Sequence, residues 1–278
     1  MHPAYTKSAG RSGRPLKTAR PPAPPAAPVA PEVREALAWT HGARFLTTAS
    51  QLDQLPGHDL PEIAFVGRSN AGKSTAINTV AQQRQLAFAS KMPGRTQHIN
   101  LFALGPRDVP EALWADLPGY GYAAVERAAK LRWQKVMADY LAVRRNLTGV
   151  VQMVDARHGL TALDEQLLDF VAPRVATGEV GLLVLLTKAD KLNRKEATAI
   201  LHATQDRLGT FATEQSDVGV ALFSALNRQG LDDLALTLRG WCPARPADAT
   251  ADVPVDDGAA ADGTTDTTTS TPAAPDAA

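Results

Sequence analysis

Short apolar runs alternate with amphipathic stretches through the middle of the chain. Runs of apolar residues bounded by Gly, Pro or polar residues predict β-strands. These strands are predicted over 62–66, 98–104, 113–116, 150–155, 180–187 and 218–223. Apolar residues at helical spacing predict helices over 74–83, 124–145, 164–175, 193–208 and 230–241. The alternation predicts an α/β domain with a mostly parallel six-stranded sheet and helices on both faces.

A glycine-rich segment connects the first predicted strand to the first predicted helix. Residues 67–74 read GRSNAGKS and match G-x-x-x-x-G-K-[ST], in the strand-to-helix context that this motif requires. Glycines let backbone amides surround phosphate oxygens, and the helix N-terminus adds partial positive charge. The Lys73 ammonium can contact β- and γ-phosphates, and the Ser74 hydroxyl can ligate Mg²⁺. The segment therefore predicts a P-loop NTPase.

Two further segments fit the phosphate end of such a site. Asp116-Leu117-Pro118-Gly119 ends the third predicted strand, where a carboxylate can hold Mg²⁺ and the Gly119 amide can contact a γ-phosphate. Thr96 lies in PGRTQ (93–97), within a Pro- and Gly-containing connection that we interpret as a lid. Its hydroxyl is a natural second protein ligand for Mg²⁺.

The nucleotide base is indicated by segments that follow the last two predicted strands. Residues 187–190 read TKAD, and a carboxylate at Asp190 can accept hydrogen bonds from both N1–H and N2–H₂ of guanine. Adenine offers no such pair of donors, and the Lys188 stem can cover the plane of the base. A backbone N–H within 223–225 (FSA) could meet guanine O6. The predicted ligands are therefore GTP and GDP.

The combined motifs resemble the EngB (YihA, YsxC) family of ribosome biogenesis GTP-binding proteins, among the TrmE-Era-EngA-YihA-like GTPases. The resemblance covers roughly residues 40–241. It is carried by 67–75 (GRSNAGKST), 93–97 (PGRTQ), 116–123 (DLPGYGYA), 155–159 (DARHG), 187–190 (TKAD) and 223–225 (FSA).

This resemblance implies a Mg²⁺-dependent GTPase with a G-domain fold that assists assembly of the large ribosomal subunit precursor. Its expected contacts are rRNA and ribosomal proteins, and the family is also needed for normal cell division and septation. We expect a cytoplasmic monomer without membrane association. The implied nucleotide-binding residues are Gly67, Arg68, Ser69, Asn70, Ala71, Gly72, Lys73, Ser74, Thr75, Gly94, Arg95, Thr96, Gln97, His98, Asp116, Leu117, Pro118, Gly119, Thr187, Lys188, Ala189, Asp190, Phe223, Ser224 and Ala225. The implied metal ligands are Ser74, Thr96 and Asp116, and the implied catalytic residues are Asn70, Lys73, Thr96 and Gly119.

Three positions bear on how such a site would work. Thr187 stands where most GTPases carry Asn, and its hydroxyl can still tie loops together with one polar atom fewer. Tyr120 follows Gly119 where many switch GTPases carry a water-orienting Gln, so we expect slow intrinsic hydrolysis completed by a partner or an ion. Related GTPases hold K⁺ with an Asn at the position of Asn70; the alternative is that this side chain braces the loop.

Charge and composition separate the middle of the chain from its ends. The formal net charge is zero, yet residues 1–30 carry five basic and no acidic residues, and 243–278 carry seven Asp. We expect a disordered basic Pro/Ala-rich tail over 1–31, a G domain over 32–242 and a disordered acidic Ala/Asp/Thr tail over 243–278. A single cysteine, Cys242, excludes an internal disulfide framework and fits a reducing compartment.

Two other functions stay open at this point. One is a nucleotide-stabilised RNA- or ribosome-binding scaffold without significant turnover, against which the set Lys73, Ser74, Thr96 and Asp116 argues. The other is a P-loop ATPase or kinase, against which Asp190 argues. Competition between ATP and GTP for binding distinguishes the last possibility.

Overall fold

The computed structural model describes residues 29–88, 98–121 and 136–243. The strands are β1 Arg44–Ala49, β2 Glu62–Gly67, β3 Ile99–Leu104, β4 Ala112–Asp116, β5 Leu147–Asp155, β6 Gly181–Thr187 and β7 Val218–Leu222. The helices are α1 Pro31–His41, α2 Lys73–Val80, the helical segment 136–143 (α3), α4 Ala162–Ala176, α5 Arg194–Gly209 and α6 Leu231–Gly240. None of the described helices is long and apolar enough to cross a bilayer.

Within the described residues the sheet has seven strands in the order β1-β3-β4-β2-β5-β6-β7, so the prediction of six strands is wrong. The additional strand, β1, pairs antiparallel with β3, and β3 pairs antiparallel with β4; the other neighbouring pairs are parallel. β1 lies at the edge of the sheet, where Phe45 and Leu46 are 59% and 45% exposed. Because its apolar residues are not enclosed, it lacks the uninterrupted apolar run that marks the buried strands.

Helices cover both faces of the sheet, as predicted. Alternate residues of β2 point to opposite faces, since strand side chains have a period of two. Ile63 and Phe65 belong to a core shared with α1, α2 and α6. Ala64 and Val66 belong to a second core shared with α3, α4 and α5. β2 is buried throughout, which explains the apolar run 63–66 that follows Glu62.

Helix α1, which was not predicted, packs against α6, the last helix of the described residues. The Trp39 indole N–H donates to Glu111 Oε2 at 3.0 Å, and Arg239 Nη1 donates to the same oxygen at 3.1 Å. The Arg239 guanidinium also lies 5.2 Å from the Trp39 ring centroid. Trp39 of α1 and Arg239 of α6 thus contact each other directly and share Glu111 as a hydrogen-bond partner, in addition to the apolar packing of the two helices.

Several predictions fall outside the described residues. These are the segment PGRTQ, most of the predicted helix 124–145, nearly all of the tail 1–31 and the tail beyond Pro243.

Candidate nucleotide site

The segment that follows β2 wraps into a turn with two left-handed residues. Asn70 has φ +66° and Gly72 has φ +94°, and α2 begins at Lys73. Gly67 is needed because an added Cβ would lie 2.8 Å from the Met153 carbonyl oxygen of β5. Within the described residues, the amides of Asn70, Gly72, Lys73 and Ser74 have no backbone acceptor. The turn thus presents a row of donors at a helix N-terminus, which suits a phosphate group.

Lys73 and Asp116, predicted from separate motifs, meet as an ion pair. Lys73 Nζ donates to Asp116 Oδ1, and both side chains are buried, at 9% and 2% exposure. β2 and β4 are adjacent parallel strands with Phe65 opposite Asp116, so both strands deliver their carboxyl ends to the same edge. A buried ammonium and a buried carboxylate each require a counter-charge, and each partner supplies it here.

Thr187 connects the end of β6 to the phosphate loop, as its hydroxyl was predicted to do. The side chain is 2% exposed, and Oγ1 lies 2.5 Å from the Ala71 carbonyl oxygen and 3.1 Å from that of Val154. An added Cβ on Gly72 would lie 3.6 Å from this threonine. The Thr187 hydroxyl therefore ties the end of β6 to the phosphate loop.

The Lys188 side chain extends from the end of β6 to the phosphate loop. Its Nζ donates to the Asn70 carbonyl oxygen and to Asp155 Oδ2, both at 2.7 Å. Arg157 binds the same carboxylate with Nε at 2.9 Å and Nη2 at 2.7 Å. Burial opposes ionisation of Asp155, but hydrogen bonds from Arg157 and Lys188 outweigh it and lower the pKa of this carboxyl. The contact of Asp155 with Lys188 was not predicted from the sequence. Asp155 ends β5 and Lys188 follows the neighbouring strand β6, and this shared position at the strand ends could have indicated the contact.

Asp190, the predicted base-reading residue, is held by the segment that follows β7. The buried Ser224 hydroxyl donates to Asp190 Oδ1 at 2.6 Å, which lowers the pKa of the carboxyl, and Lys191 Nζ lies 3.2 Å from Oδ2. The amides of Phe223 and Ser224 donate to Leu186 O and Gln229 O. Within the segment 223–225, only the amide of Ala225 has no backbone acceptor in the described part of the chain. Of the three amides, that of Ala225 is therefore the one available for the predicted contact with guanine O6.

Residues 117–120 continue alongside β2 and the phosphate loop. The Leu117 amide donates to Phe65 O at 3.0 Å, the Tyr120 amide to Gly67 O at 3.3 Å, and the Ser69 amide to Tyr120 O at 2.8 Å. An added Cβ on Gly119 would lie 3.1 Å from the Ser69 nitrogen, so Gly119 and the phosphate loop are in close contact. The Leu117 side chain is fully buried, and this residue can contribute only backbone to the site.

The hydroxyl of Tyr120 is used inside the protein. It donates to Asp164 Oδ1 of α4 at 2.7 Å, and Tyr120 is 9% exposed. Burial, together with the neighbouring carboxylate, raises the pKa of Tyr120 far above its usual value. This hydroxyl is therefore engaged away from any water that a Gln at the same position would orient. Thr161 and Asp164 form a capping box at the start of α4.

Six further predicted residues are either exposed or lie outside the described residues. Asn70 is exposed, and its side-chain amide makes no hydrogen bond to another described residue, so the described structure does not show it bracing the loop. His98 is exposed beside β1, with Nδ1 2.7 Å from Ser50 Oγ. Gly94, Arg95, Thr96 and Gln97 lie outside the described residues.

The fold and the assembled site define a GTP-binding P-loop GTPase. A family model described as 50S ribosome-binding GTPase matches residues 62–188. The chain is 60% identical over 216 residues to a probable GTP-binding protein EngB of Albidiferax ferrireducens, a match that spans 78% of this chain and 100% of that one. It is 58% identical over 214 residues to the Acidovorax ebreus protein of the same name, over 77% and 94% of the two chains. The chain belongs to the EngB family of GTP-binding proteins, and it is a GTPase.

Solved structures agree on the fold. A crystal structure of a probable GTP-binding protein EngB matches with a TM-score of 0.50 at 18% identity, over 65% of this chain and 98% of that one. Aquifex aeolicus Era bound to GDP·AlF₄⁻ matches with a TM-score of 0.53 at 22% identity, over 71% and 63% of the two chains.

Proposed function

We propose that this protein is a slow, Mg²⁺-dependent GTPase switch that assists assembly of the large ribosomal subunit. The observation that carries the proposal is the matched family, described as 50S ribosome-binding GTPases, over 62–188. That span includes the phosphate loop, Asp116 and Lys188. By the family resemblance, the protein acts as a cytoplasmic monomer whose loss impairs cell division and septation. Its binding partners are rRNA and ribosomal proteins of the subunit precursor.

The oxygen-rich phosphate end suits Mg²⁺, which prefers hydroxyl, carboxylate and phosphate oxygens. Asp116 lies beside Lys73 at the end of β4, and Ser74 is the second residue of α2. We assign Ser74 and Asp116 as the protein groups that hold the ion or its bound water, with Thr96 completing the set in the GTP form. When bound, Mg²⁺ neutralises charge on the β- and γ-phosphates.

Hydrolysis by this site would use backbone and lysine contacts to the phosphates. Lys73, the first residue of α2, would contact the γ-phosphate, and Asp116, its present partner, would be one of the residues that hold the metal. The Gly119 amide, held against the phosphate loop, would donate to the same phosphate. The Tyr120 hydroxyl is committed to Asp164, so no side chain directly after Gly119 orients the attacking water. The expected intrinsic rate is therefore low, and a partner or an ion completes catalysis.

Asn70 is the residue through which a monovalent ion would act. Its side chain is exposed, its backbone is left-handed, and its carbonyl oxygen is fixed by Lys188 at 2.7 Å. A K⁺ ion held there would add positive charge as the transition state develops, in the manner of an arginine finger.

Co-sedimentation with purified ribosomal subunits tests the ribosomal part of the proposal. The full-length protein should pellet with large subunits or their precursors in the presence of a non-hydrolysable GTP analogue, and less with GDP or without nucleotide. Asp190→Asn is the matched control, because it should lose the GTP-dependent part of the pelleting and regain it with xanthosine nucleotide. Equal pelleting in all nucleotide conditions, or none, would contradict a GTP-driven assembly switch.

A further inference from the structure

A buried polar network lies between the phosphate loop and helix α4. The Tyr120 hydroxyl donates to Asp164 Oδ1 at 2.7 Å, and Asp164 is 1% exposed. Asp164 Oδ2 accepts from the Thr161 amide at 2.8 Å and from the Thr161 hydroxyl at 2.6 Å. From β5, the Gln152 side-chain amide donates to the Tyr120 hydroxyl at 3.3 Å and to the Asp164 carbonyl at 3.0 Å. A carboxylate with three donors makes stronger and shorter bonds than a neutral acceptor does.

The same tyrosine is fixed through its backbone to the opposite side of the site. Its amide and carbonyl bond to Gly67 and Ser69. Gly119, the preceding residue, is in close contact with Ser69. Its follower, Gly121, is left-handed at φ +78°. Tyr120 therefore joins the phosphate loop to α4. Gly119 cannot move far from its present place without disturbing the hydrogen bond between Tyr120 and Asp164, which are both buried.

We propose that the bond between the Tyr120 hydroxyl and the Asp164 carboxylate positions the Gly119 amide for the γ-phosphate. Tyr120 is thus a positioning residue that acts through Gly119, and α4 is the support against which it is held. The inference rests on the proposed contact between Gly119 and the γ-phosphate. Tyr120, at the position where many switch GTPases carry a water-orienting Gln, instead holds the backbone amide of Gly119 in place.

Nucleotide selectivity separates positioning from a merely structural contribution. GDP lacks the γ-phosphate, so its affinity is insensitive to where the Gly119 amide lies. Tyr120→Phe keeps the ring and removes only the hydroxyl. Full-length Tyr120→Phe should bind a non-hydrolysable GTP analogue at least about fivefold more weakly than wild type, while GDP affinity stays within about twofold. Equilibrium binding with fluorescent nucleotides at fixed Mg²⁺ measures both.

Thr161→Ala is the structural control. It removes a donor to Asp164 Oδ2 and weakens the cap of α4, but leaves the bond between Tyr120 and Asp164. Both variants should melt at lower temperature than wild type, and only Tyr120→Phe should shift the ratio of GTP-analogue to GDP affinity. Adding Tyr120→Phe to Asp164→Ala should cause no further shift, because the two residues act through one bond. An additive shift in the double variant would overturn the proposal.

Gly119→Ala separates this inference from the proposed contact on which it rests. A selective loss of GTP-analogue affinity in Gly119→Ala but not in Tyr120→Phe would overturn the positioning role alone. No selective loss in either variant would overturn both the contact of Gly119 and the role of Tyr120.

Discussion

The guanine end and the phosphate end of the site are built differently. At the proposed guanine end, the two side chains assigned to the base are each held by another side chain: Ser224 holds Asp190, and Asp155 holds Lys188. At the proposed phosphate end, the groups assigned to the ligand are mainly backbone amides, and their placement depends on the left-handed Gly72 and the close packing at Gly67.

This difference fits the two ligand parts. A guanine base presents N–H donors at fixed positions, and a carboxylate held in place can accept hydrogen bonds from two of them. Phosphate presents diffuse negative charge, which many amides together can surround. Single substitutions should therefore change the identity of the bound nucleotide at the guanine end, but change turnover or the response to the γ-phosphate at the other end.

The largest effect is expected at Asp190. Asp190→Asn replaces a charged acceptor of two guanine donors and should weaken GTP binding by roughly 2–4 kcal/mol. The new amide can donate to the 2-oxo group of xanthine, so xanthosine triphosphate should bind better than GTP does. Competition binding with GTP, xanthosine triphosphate and ATP measures the change. Unchanged GTP affinity would show that Asp190 does not face the base.

Thr187 joins the two ends, and its substitution should have an intermediate effect. Thr187→Ala removes the hydroxyl that reaches the Ala71 carbonyl and should weaken both GTP and GDP by about 1–2 kcal/mol. Thr187→Asn supplies an amide donor in its place and should retain most of the affinity. If Thr187→Ala binds both nucleotides like wild type, the hydrogen bond between Thr187 and Ala71 does not contribute to nucleotide affinity.

The role of Asn70 at the phosphate end can be tested by measuring the rate of GTP hydrolysis. Turnover should be several-fold faster in KCl than in NaCl at matched ionic strength, because K⁺ would stabilise charge that forms only in the transition state. Asn70→Ala should remove the difference and leave GTP affinity unchanged. Equal wild-type rates in both salts would leave a partner-supplied group as the activator.

Removal of both chain ends should have the smallest effect. A fragment of residues 29–243 retains α1 and every described contact of the site, so its GTP affinity and melting temperature should match those of the full chain. Titration and thermal unfolding of both proteins provide the comparison. A melting temperature lower by several degrees would mean that one end packs on the domain.

The buried strands and the motifs at their ends could be predicted because each leaves a local signature. β2, β4 and β6 are buried throughout and are apolar except at their ends, and β5 is mostly buried and mostly apolar. β1 and α1 escaped prediction because β1 exposes Phe45 and Leu46, and α1 buries few residues. The loop contact of Thr187 followed from its chemistry, whereas the bonds of Tyr120 to Asp164 and of Lys188 to Asp155 join residues distant in sequence. Pairings of that kind depend on strand order, which local patterns do not contain.

The packing of α1 on α6 has a consequence for the order in which the chain is made. α1 leaves the ribosome first among the described elements, yet Trp39 meets Arg239 only after nearly the whole domain has been synthesised. The phosphate loop, Asp116 and Lys188 all emerge during this interval. A nascent chain can therefore contain most of the nucleotide site before α6 has been made. The packing of α1 on α6 can form only after α6 leaves the ribosome.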